Sequence, residues 1–489
     1  MDYILAIDQG TTSSLALLLD SNGIVIAKDA QIYPQYYPKE GFVEHDGNDI
    51  KKSIKDAVVN VLTKSHISKK DIKAIGIANQ RETLCLFDKQ NNPIMPFIVW
   101  QCRRSAAICK KLKDNNFSDF IQKKTGLLLD PYFSATKILW LFNEFPYLKK
   151  ECEQQKILLG TIDSFVAHWF SQGELHITDV TNASRTMLMD IDDCSWSKEL
   201  LEMFEVPIQS LPNIVDNSSI YGYTKGLSFL PDGIAIASLA GDQQSALFGQ
   251  TCFEKGDTKA TFGTGCFILL NTGEKKVLSK HGLLTSVAYK IKNNTNYCLE
   301  GSAFIAGAAI DFLIQSLGMI KSADEIENLA GSVDSSDGVM FLPALCGLGT
   351  PFWQPHARGI LSGLSRGTTK AHIARAVLEG VALQNEAIFS AMAKDGIKPT
   401  TVKVDGGASH NDLWMQIQAN IIDIVCYSDV EQQKTALGVA YLAGLSLGLF
   451  DLTAIRSFSK TNKSFMPNMN KWERQELLEK YHRIANSKF

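Results

Sequence analysis

"YILAIDQGTTSSLALLLD", residues 3–20, sets two apolar runs around a turn that holds Asp8, Gly10 and four hydroxyls, Thr11, Thr12, Ser13 and Ser14. Apolar runs joined by so short a polar segment read as a β-hairpin. Glycine lets main-chain N–H groups approach a phosphate, and hydroxyls add donors that reposition at little cost. A carboxylate at the same tip suits magnesium, bound directly or through water. A hairpin whose turn is simply polar is the plain alternative.

A second hairpin of this kind is written at 258–274, "TKATFGTGCFILLNTGE", around Gly263, Thr264 and Gly265. Outward from the first lie a third strand, "NGIVIAKDAQI" (22–32), and a helix, "NDIKKSIKDAVVNVLTKS" (48–65), with Ile50, Ile54, Val58, Val61 and Leu62 on one face. The buried strand "IKAIGIANQ" (72–80) follows. After the second hairpin come a helix expected over 301–318 and another from Lys370 carrying Ile373, Val377, Val381, Gln384 and Ile388. The stretch 401–422, "TVKVDGGASHNDLWMQIQANII", reads as strand, glycine turn and helix. Strands followed by amphipathic helices predict an α/β fold, and the repeated plan predicts two analogous domains, 1–249 and 250–489, meeting across a substantial interface.

Composition narrows the partners. The 489 residues are 45% hydrophobic and 21% charged, with a net charge of -3, which provides no field to collect nucleic acid or anionic lipid. No secretory signal follows Met1, and the longest uncharged run, 435–450, is too short to span a bilayer and is interrupted by Gly438, Gly444 and Gly448. It predicts a close-packed core helix and no membrane insertion. The ten cysteines lack zinc-type spacing, so they are expected to be reduced thiols of a cytoplasmic protein.

Several polar stretches are candidates for chemistry. Arg81 and Glu82 follow the apolar strand ending near Ala78, at a strand's carboxyl end, where open α/β sheets bind ligands; a surface ion pair is the alternative. Asp242 and Gln243 follow the buried run "GIAIASLAG" (233–241), where a carboxylate can accept a hydroxyl proton or merely cap a helix. Trp100 offers a flat apolar wall or a core side chain. Gly406 and Gly407 precede a helix with Asn411 as its cap, which favours an anion or a nucleotide lying across it. No G-x-x-x-x-G-K-[ST] motif is present, so the P-loop fold is not indicated.

Taken together, "DQGTTSS", "GFVEHD", "NQRET", "IVWQCRR", "TGLLLDPYFSATK", "TDVTNASRTML", "AGDQQ", "FGTGCF", "NTGE" and "VDGGA" resemble, in this order and over nearly the whole chain, the FGGY carbohydrate kinases, and within them the members that phosphorylate glycerol. The resemblance implies two actin-like ATPase (ribonuclease H-like) domains around a central cleft, and transfer of the ATP γ-phosphoryl group to the 3-hydroxyl of glycerol. It implies that Arg81, Glu82, Tyr132, Asp242 and Gln243 bind the glycerol hydroxyls and that Trp100 and Phe267 pack on its carbons. Asp242 would be the general base and Asp8 the carboxylate near Mg2+. Thr11, Thr12, Ser13, Thr264, Gly307, Asp311, Gly407 and Asn411 would surround ATP or ADP. A homo-oligomer, dimer or tetramer, is implied as well.

Three departures stand out. Leu15 occupies the place of a usual arginine near the phosphates, Asp311 that of a glutamine near the adenine, and 221–236 lacks the Gly-rich, arginine-containing loop with which some bacterial members bind the inhibitor fructose 1,6-bisphosphate. The alternatives are a kinase of another sugar or polyol, a catalytically weak regulatory or binding homologue, and an actin-like chaperone ATPase, which the absence of a peptide-binding domain disfavours.

Overall fold

The computed structural model describes residues 2–486. The first hairpin pairs β1 (Tyr3–Gln9) with β2 (Ser13–Asp20) antiparallel, Asp8 opposite Leu15, and β3 (Val25–Ile32) continues the antiparallel order. α1 (Gly47–Ser65) buries Ile50, Ile54, Val58, Val61 and Leu62, the stripe that the helical spacing predicts, and Asp46 caps it by accepting from the Asn48 N–H at 2.7 Å. The chain then re-enters the sheet through β4 (Ile72–Asn79), parallel to β1, and later through β5 (Ser218–Tyr223) and β6 (Ala235–Gly241). The strand order is β5-β6-β4-β1-β2-β3.

α2 (Asp242–Gly249) leads to a second sheet made of β7 (Asp257–Phe262), β8 (Cys266–Gly273), β9 (Leu284–Ile291), β10 (Asn294–Ala303), β11 (Thr401–Asp405), β12 (Cys426–Asp429) and β13 (Thr461–Phe465). Its order is β9-β10-β8-β7-β11-β12-β13. Each sheet runs from an antiparallel hairpin through two parallel strands to an antiparallel edge: β2-β1-β4-β6-β5 in the first, β8-β7-β11-β12-β13 in the second. The two halves are built on one plan. α3 (Lys370–Lys394), α4 (Asp412–Ile422) and α5 (Lys434–Ser446) complete the second half.

The helix expected over 301–318 is corrected. Gly301 to Ala303 end strand β10, a short helix occupies Gly307–Asp311, and a π-turn follows over Phe312–Ser316. The apolar run there serves a buried strand first, a distinction that periodicity does not make for short apolar segments.

Strand alternation sorts the core into layers. Leu5, Ile7, Ala16 and Leu18 face α1, whereas Ile4, Ala6, Leu17 and Leu19 face the opposite side, where α2 and α5 lie. Leu269 and Cys298 of the second sheet close that middle layer, while Ile268 and Leu270 face α3 and α4. One shared apolar core therefore joins the two sheets through α2 and α5, and the uncharged segment 435–450 is the core helix its glycines predict.

The two middle helices touch backbone to backbone. A Cβ on Gly438 would lie 1.9 Å from the Ser245 carbonyl oxygen, and one on Gly249 would lie 2.0 Å from that of Lys434. Neither carbonyl can retreat without unwinding its helix. Overpacking typically costs about 1–3 kcal/mol, and here backbone must shift. Gly438→Ala is expected to lower unfolding free energy in urea by about 2 kcal/mol or more, while Gly367→Ala, whose nearest neighbour would be 3.7 Å away, changes it by less than about 0.5 kcal/mol. Equal effects would show that the helices are not in contact here.

Candidate functional site

The first turn is stitched from below. Gly10 N–H donates to the Ser13 carbonyl at 2.9 Å, and the Tyr33 hydroxyl donates to the carbonyls of Gly10 and Thr11 at 2.6 and 2.7 Å. The carbonyls turn inward, and the side chains of Thr11, Thr12 and Ser13 stay wholly or partly in solvent. Trp100 Nε1 donates to Thr11 Oγ1 at 2.9 Å. The Trp100 ring meets Tyr132 edge-on at 5.4 Å between centroids and Phe267 at 6.3 Å. Three aromatic rings from separate parts of the chain thus form one wall beside that turn.

Arg81 and Glu82 are not a surface pair; both are buried and each finds its partner elsewhere. The Thr83 N–H donates to the Arg81 carbonyl at 2.7 Å around Glu82, whose φ is 61°, a conformation that costs a non-glycine residue energy and turns the two side chains apart. Arg81 Nη1 and Nη2 donate to the two Glu300 oxygens at 2.6 and 2.9 Å, Nη1 also donates to Gln244 Oε1 at 3.1 Å, and Nε lies 3.2 Å from Asp242 Oδ1. Arg185 Nε donates to Glu82 at 2.5 Å and Nη2 to Glu300 at 3.2 Å, and its guanidinium lies 5.6 Å from the Tyr132 ring centre. Burial alone would raise the Glu300 pKa, but Arg185 and Arg81 reverse this and bring it to about 2. Burial raises that of Glu82 against the pull of the same two arginines.

Asp242 is the first residue of α2, and Gly241, not Asp242, stands at the cap. The Asp242 side chain remains 26% exposed, and it accepts from the Gln243 N–H at 2.7 Å. A buried polar network holds this point. The Gly241 N–H donates to Thr181 Oγ1 at 2.9 Å; Thr181 leans on Asp179, which also accepts from Asn182 and Asn217 at 2.7 Å each; and Asn182 exchanges amide bonds with Asn79 at the end of β4. Lys259 comes from β7 and donates to Gln243 Oε1 and, at 2.9 Å, to Thr261 Oγ1. Burial lowers the Lys259 pKa, against the nearby Asp405 and Asp242.

Asp8 is the penultimate residue of β1, half-buried. Burial, with the Asp242 charge adding to it, pushes its pKa up to about 7. Directly opposed residues of an antiparallel pair share a face, so Leu15 lies beside Asp8, on the face that carries Leu17 and Leu19 into the middle core. Among the described residues no cluster of three or more His, Cys, Asp or Glu side chains is arranged to hold a metal. Asp8 and Asp242 are two carboxylates close enough for the Asp242 charge to raise the cost of ionising Asp8, a donor set that fits Mg2+ completed by phosphate oxygens and water.

In the second half Thr264 is exposed at its turn, and its carbonyl accepts from the Ala306 and Ala308 N–H groups at 2.8 and 3.1 Å. A Cβ on Gly307 would lie 2.7 Å from the Gly263 carbonyl oxygen, so the short helix seats directly against the turn. Gly406 packs on Phe262, beside the same turn, and a Cβ on Gly407 would meet nothing within 4 Å. Asn411 caps α4 by accepting from the Trp414 N–H at 2.8 Å, as its position predicts. Asp311 is exposed at the end of its short helix. Thr264, Gly307 and the Gly406–Gly407 turn thus gather around the end of β7.

Sequence reasoning placed Gln244 beside Asp242 without a role and singled out neither Arg185, Glu300, Lys259 nor Asp405. Glu300 is the lone charge inside a strand that otherwise reads as buried, and Lys259 sits between Thr258 and Ala260 inside another, which is the signal that marks them. Arg185 lies within the quoted "TDVTNASRTML" without a role assigned to it.

Two family models describe this architecture. The N-terminal domain of the FGGY family of carbohydrate kinases matches residues 3–249, and the C-terminal domain of the same family matches 258–447. The chain is 49% identical over 483 residues to a glycerol kinase of Bdellovibrio bacteriovorus, covering 98% of each protein. Among solved structures it is similar to Plasmodium falciparum glycerol kinase with ADP, at a TM-score of 0.92 and 33% identity over 100% of this chain and 99% of that one. It is also similar to a ligand-bound xylulose kinase from Lactobacillus acidophilus, at a TM-score of 0.88 and 26% identity over 99% and 98%. With duplicated sheets of the actin-like ATPase plan, and both family domains matched in order along its length, the chain belongs to the FGGY family of carbohydrate kinases.

Proposed function

We propose that this chain transfers the γ-phosphoryl group of ATP to the 3-hydroxyl of glycerol, giving sn-glycerol 3-phosphate and ADP. The observation that carries the reading is the pairing of Arg81 with Asp242 at 3.2 Å beside the wall of Trp100, Tyr132 and Phe267. A triol needs donors and acceptors for its hydroxyls and an apolar surface for its carbons. Arg81, Glu82, Tyr132, Asp242 and Gln243 meet the first need, Trp100 and Phe267 the second. Burial raises the Tyr132 pKa, so the phenol stays neutral and retains its proton as a donor.

Asp242 takes the proton of the attacking hydroxyl as the new O–P bond forms and the bond to the ADP oxygen breaks. Its exposed share of surface and fixed place at the start of α2 suit that role. Thr11, Thr12, Ser13, Thr264, Gly307, Asp311, Gly407 and Asn411 surround the nucleotide. Asp8, with Asp242 near it, holds Mg2+, which when bound neutralises phosphate charge. The division at 1–249 and 250–489 and a homo-oligomer of two or four chains belong to the same reading, as does a cytoplasmic setting, in keeping with nine buried free cysteines and one exposed, Cys346.

A coupled assay tests the activity: glycerol is expected to drive ADP release, and xylulose to do so far less. Reversed preference would assign another acceptor. General-base catalysis typically contributes about 10²- to 10⁴-fold, so Asp242→Asn is expected to lower kcat by that order with its melting temperature kept. A folded variant with most of its kcat would remove Asp242 from this role.

The Asp8 pKa sets a pH dependence. The ionised form is the one that suits Mg2+, so kcat/KM for ATP is expected to fall as pH drops through about 7. Leu15→Arg places a cation beside Asp8; an opposite charge at such range lowers a carboxyl pKa by about 1–3 units. The acid limb should therefore move down by about one pH unit or more, and kcat/KM at pH 7 should rise about tenfold, the worth of a charged hydrogen bond to phosphate. An unmoved limb in a folded variant would show that Leu15 serves only the core.

A further inference from the structure

Glu300 is contributed by β10 of the second sheet, whereas Arg81, Glu82 and Arg185 all come from the first half of the chain. Its side chain is 0% exposed and that of Arg81 2%, so this is an ion pair sealed from water across the two halves. Both Glu300 oxygens are engaged by the fork of Arg81, at 2.6 and 2.9 Å, and one of them also accepts from Arg185. The recorded contacts use three of the four Nη hydrogens of Arg81, and Nε lies against Asp242. An arginine in that state has one Nη2 hydrogen left to offer. Its bidentate face, the part that recognises a carboxylate or a phosphate ester, is already filled.

We propose that Glu300 is a positioning residue that fixes Arg81 to present a single donor, and that it thereby selects neutral polyols over acceptors bearing a carboxylate. The selection follows from two effects of one side chain. Glu300 occupies the fork geometrically, and its negative charge, beside Glu82 and Asp242, leaves no net cation for an anionic ligand to neutralise. Because Glu300 comes from the other half, the donor is aimed only when the two halves are assembled. This rests on the proposed function, since that reading makes Arg81 a contact of the acceptor.

The experiment compares wild type with Glu300→Gln and with Glu300→Asp, which retains the charge but withdraws it by one methylene. Melting temperature serves as the folding control for both. KM for glycerol is expected to rise tenfold or more in whichever variant folds, while KM for ATP changes less than twofold, a split that general loosening would not give. Direct calorimetric binding of D-glycerate, which carries a carboxylate in place of one hydroxymethyl group, needs no turnover. It is expected to tighten about tenfold or more in Glu300→Gln relative to wild type and not to tighten in Glu300→Asp. If wild type neither binds nor phosphorylates glycerol, the proposed function fails, and the glycerate comparison still reads Glu300 alone. Unchanged glycerol KM and unchanged glycerate affinity in a folded Glu300→Gln would overturn the inference. A parallel loss of affinity for ATP would do so as well, because it would mark Glu300 as merely structural.

Discussion

The contact between α2 and α5 is the constraint on which the rest depends. Both helices lie between two sheets, and they fit there because Gly249 and Gly438 allow backbone to meet backbone where any Cβ would fall about 2 Å from a carbonyl oxygen. α2 begins with Asp242 and ends against the second sheet, where Gln250 donates to Asp405 at 3.0 Å. The spacing of the sheets is therefore also the placement of the candidate base. A wider middle layer would move Asp242 away from Arg81 on one side and Gln243 away from Lys259 on the other.

Alternation along β1 and β7 converts this layer into chemistry. Ala6 faces the middle core, and two residues later Asp8 faces the same way; Ala260 and Phe262 face α3 and α4, which leaves Lys259 and Thr261 toward α2. Apolar residues end where the strands leave the core, and charged ones begin on the same faces. The charges are costly to bury, and the cations are answered, Arg81 and Arg185 by Glu82 and Glu300 and Lys259 by Gln243 and Thr261, whereas burial and the Asp242 charge push the Asp8 pKa up.

Local pattern made much of this legible. The hairpin at 3–20, the buried face of α1 and the Asn411 cap follow from period, turn chemistry and capping rules. The repeat of one plan in two halves was visible in the two hydroxyl-glycine turns. What local pattern misses is pairing across sequence distance: nothing near Glu300 announces Arg81 or Arg185, and nothing near Gly438 announces Ser245. The same limit explains the segment 301–318, where a strand end and a short helix share one apolar run. Arg81 and Glu82 looked like partners because they are adjacent, and the φ of 61° at Glu82 sends them to different ones.

The proposed site is assembled from two lobes, with Arg81, Asp8 and the first hydroxyl turn on one and Glu300, Lys259 and Thr264 on the other. Phosphoryl transfer to an alcohol must outcompete transfer to water, so the lobes should close when both substrates are present. Small-angle scattering measures this directly. With glycerol and a nonhydrolysable ATP analogue together the radius of gyration is expected to fall below that of the free protein, with either ligand alone giving less. An unchanged radius with both ligands shown to be bound would contradict the account.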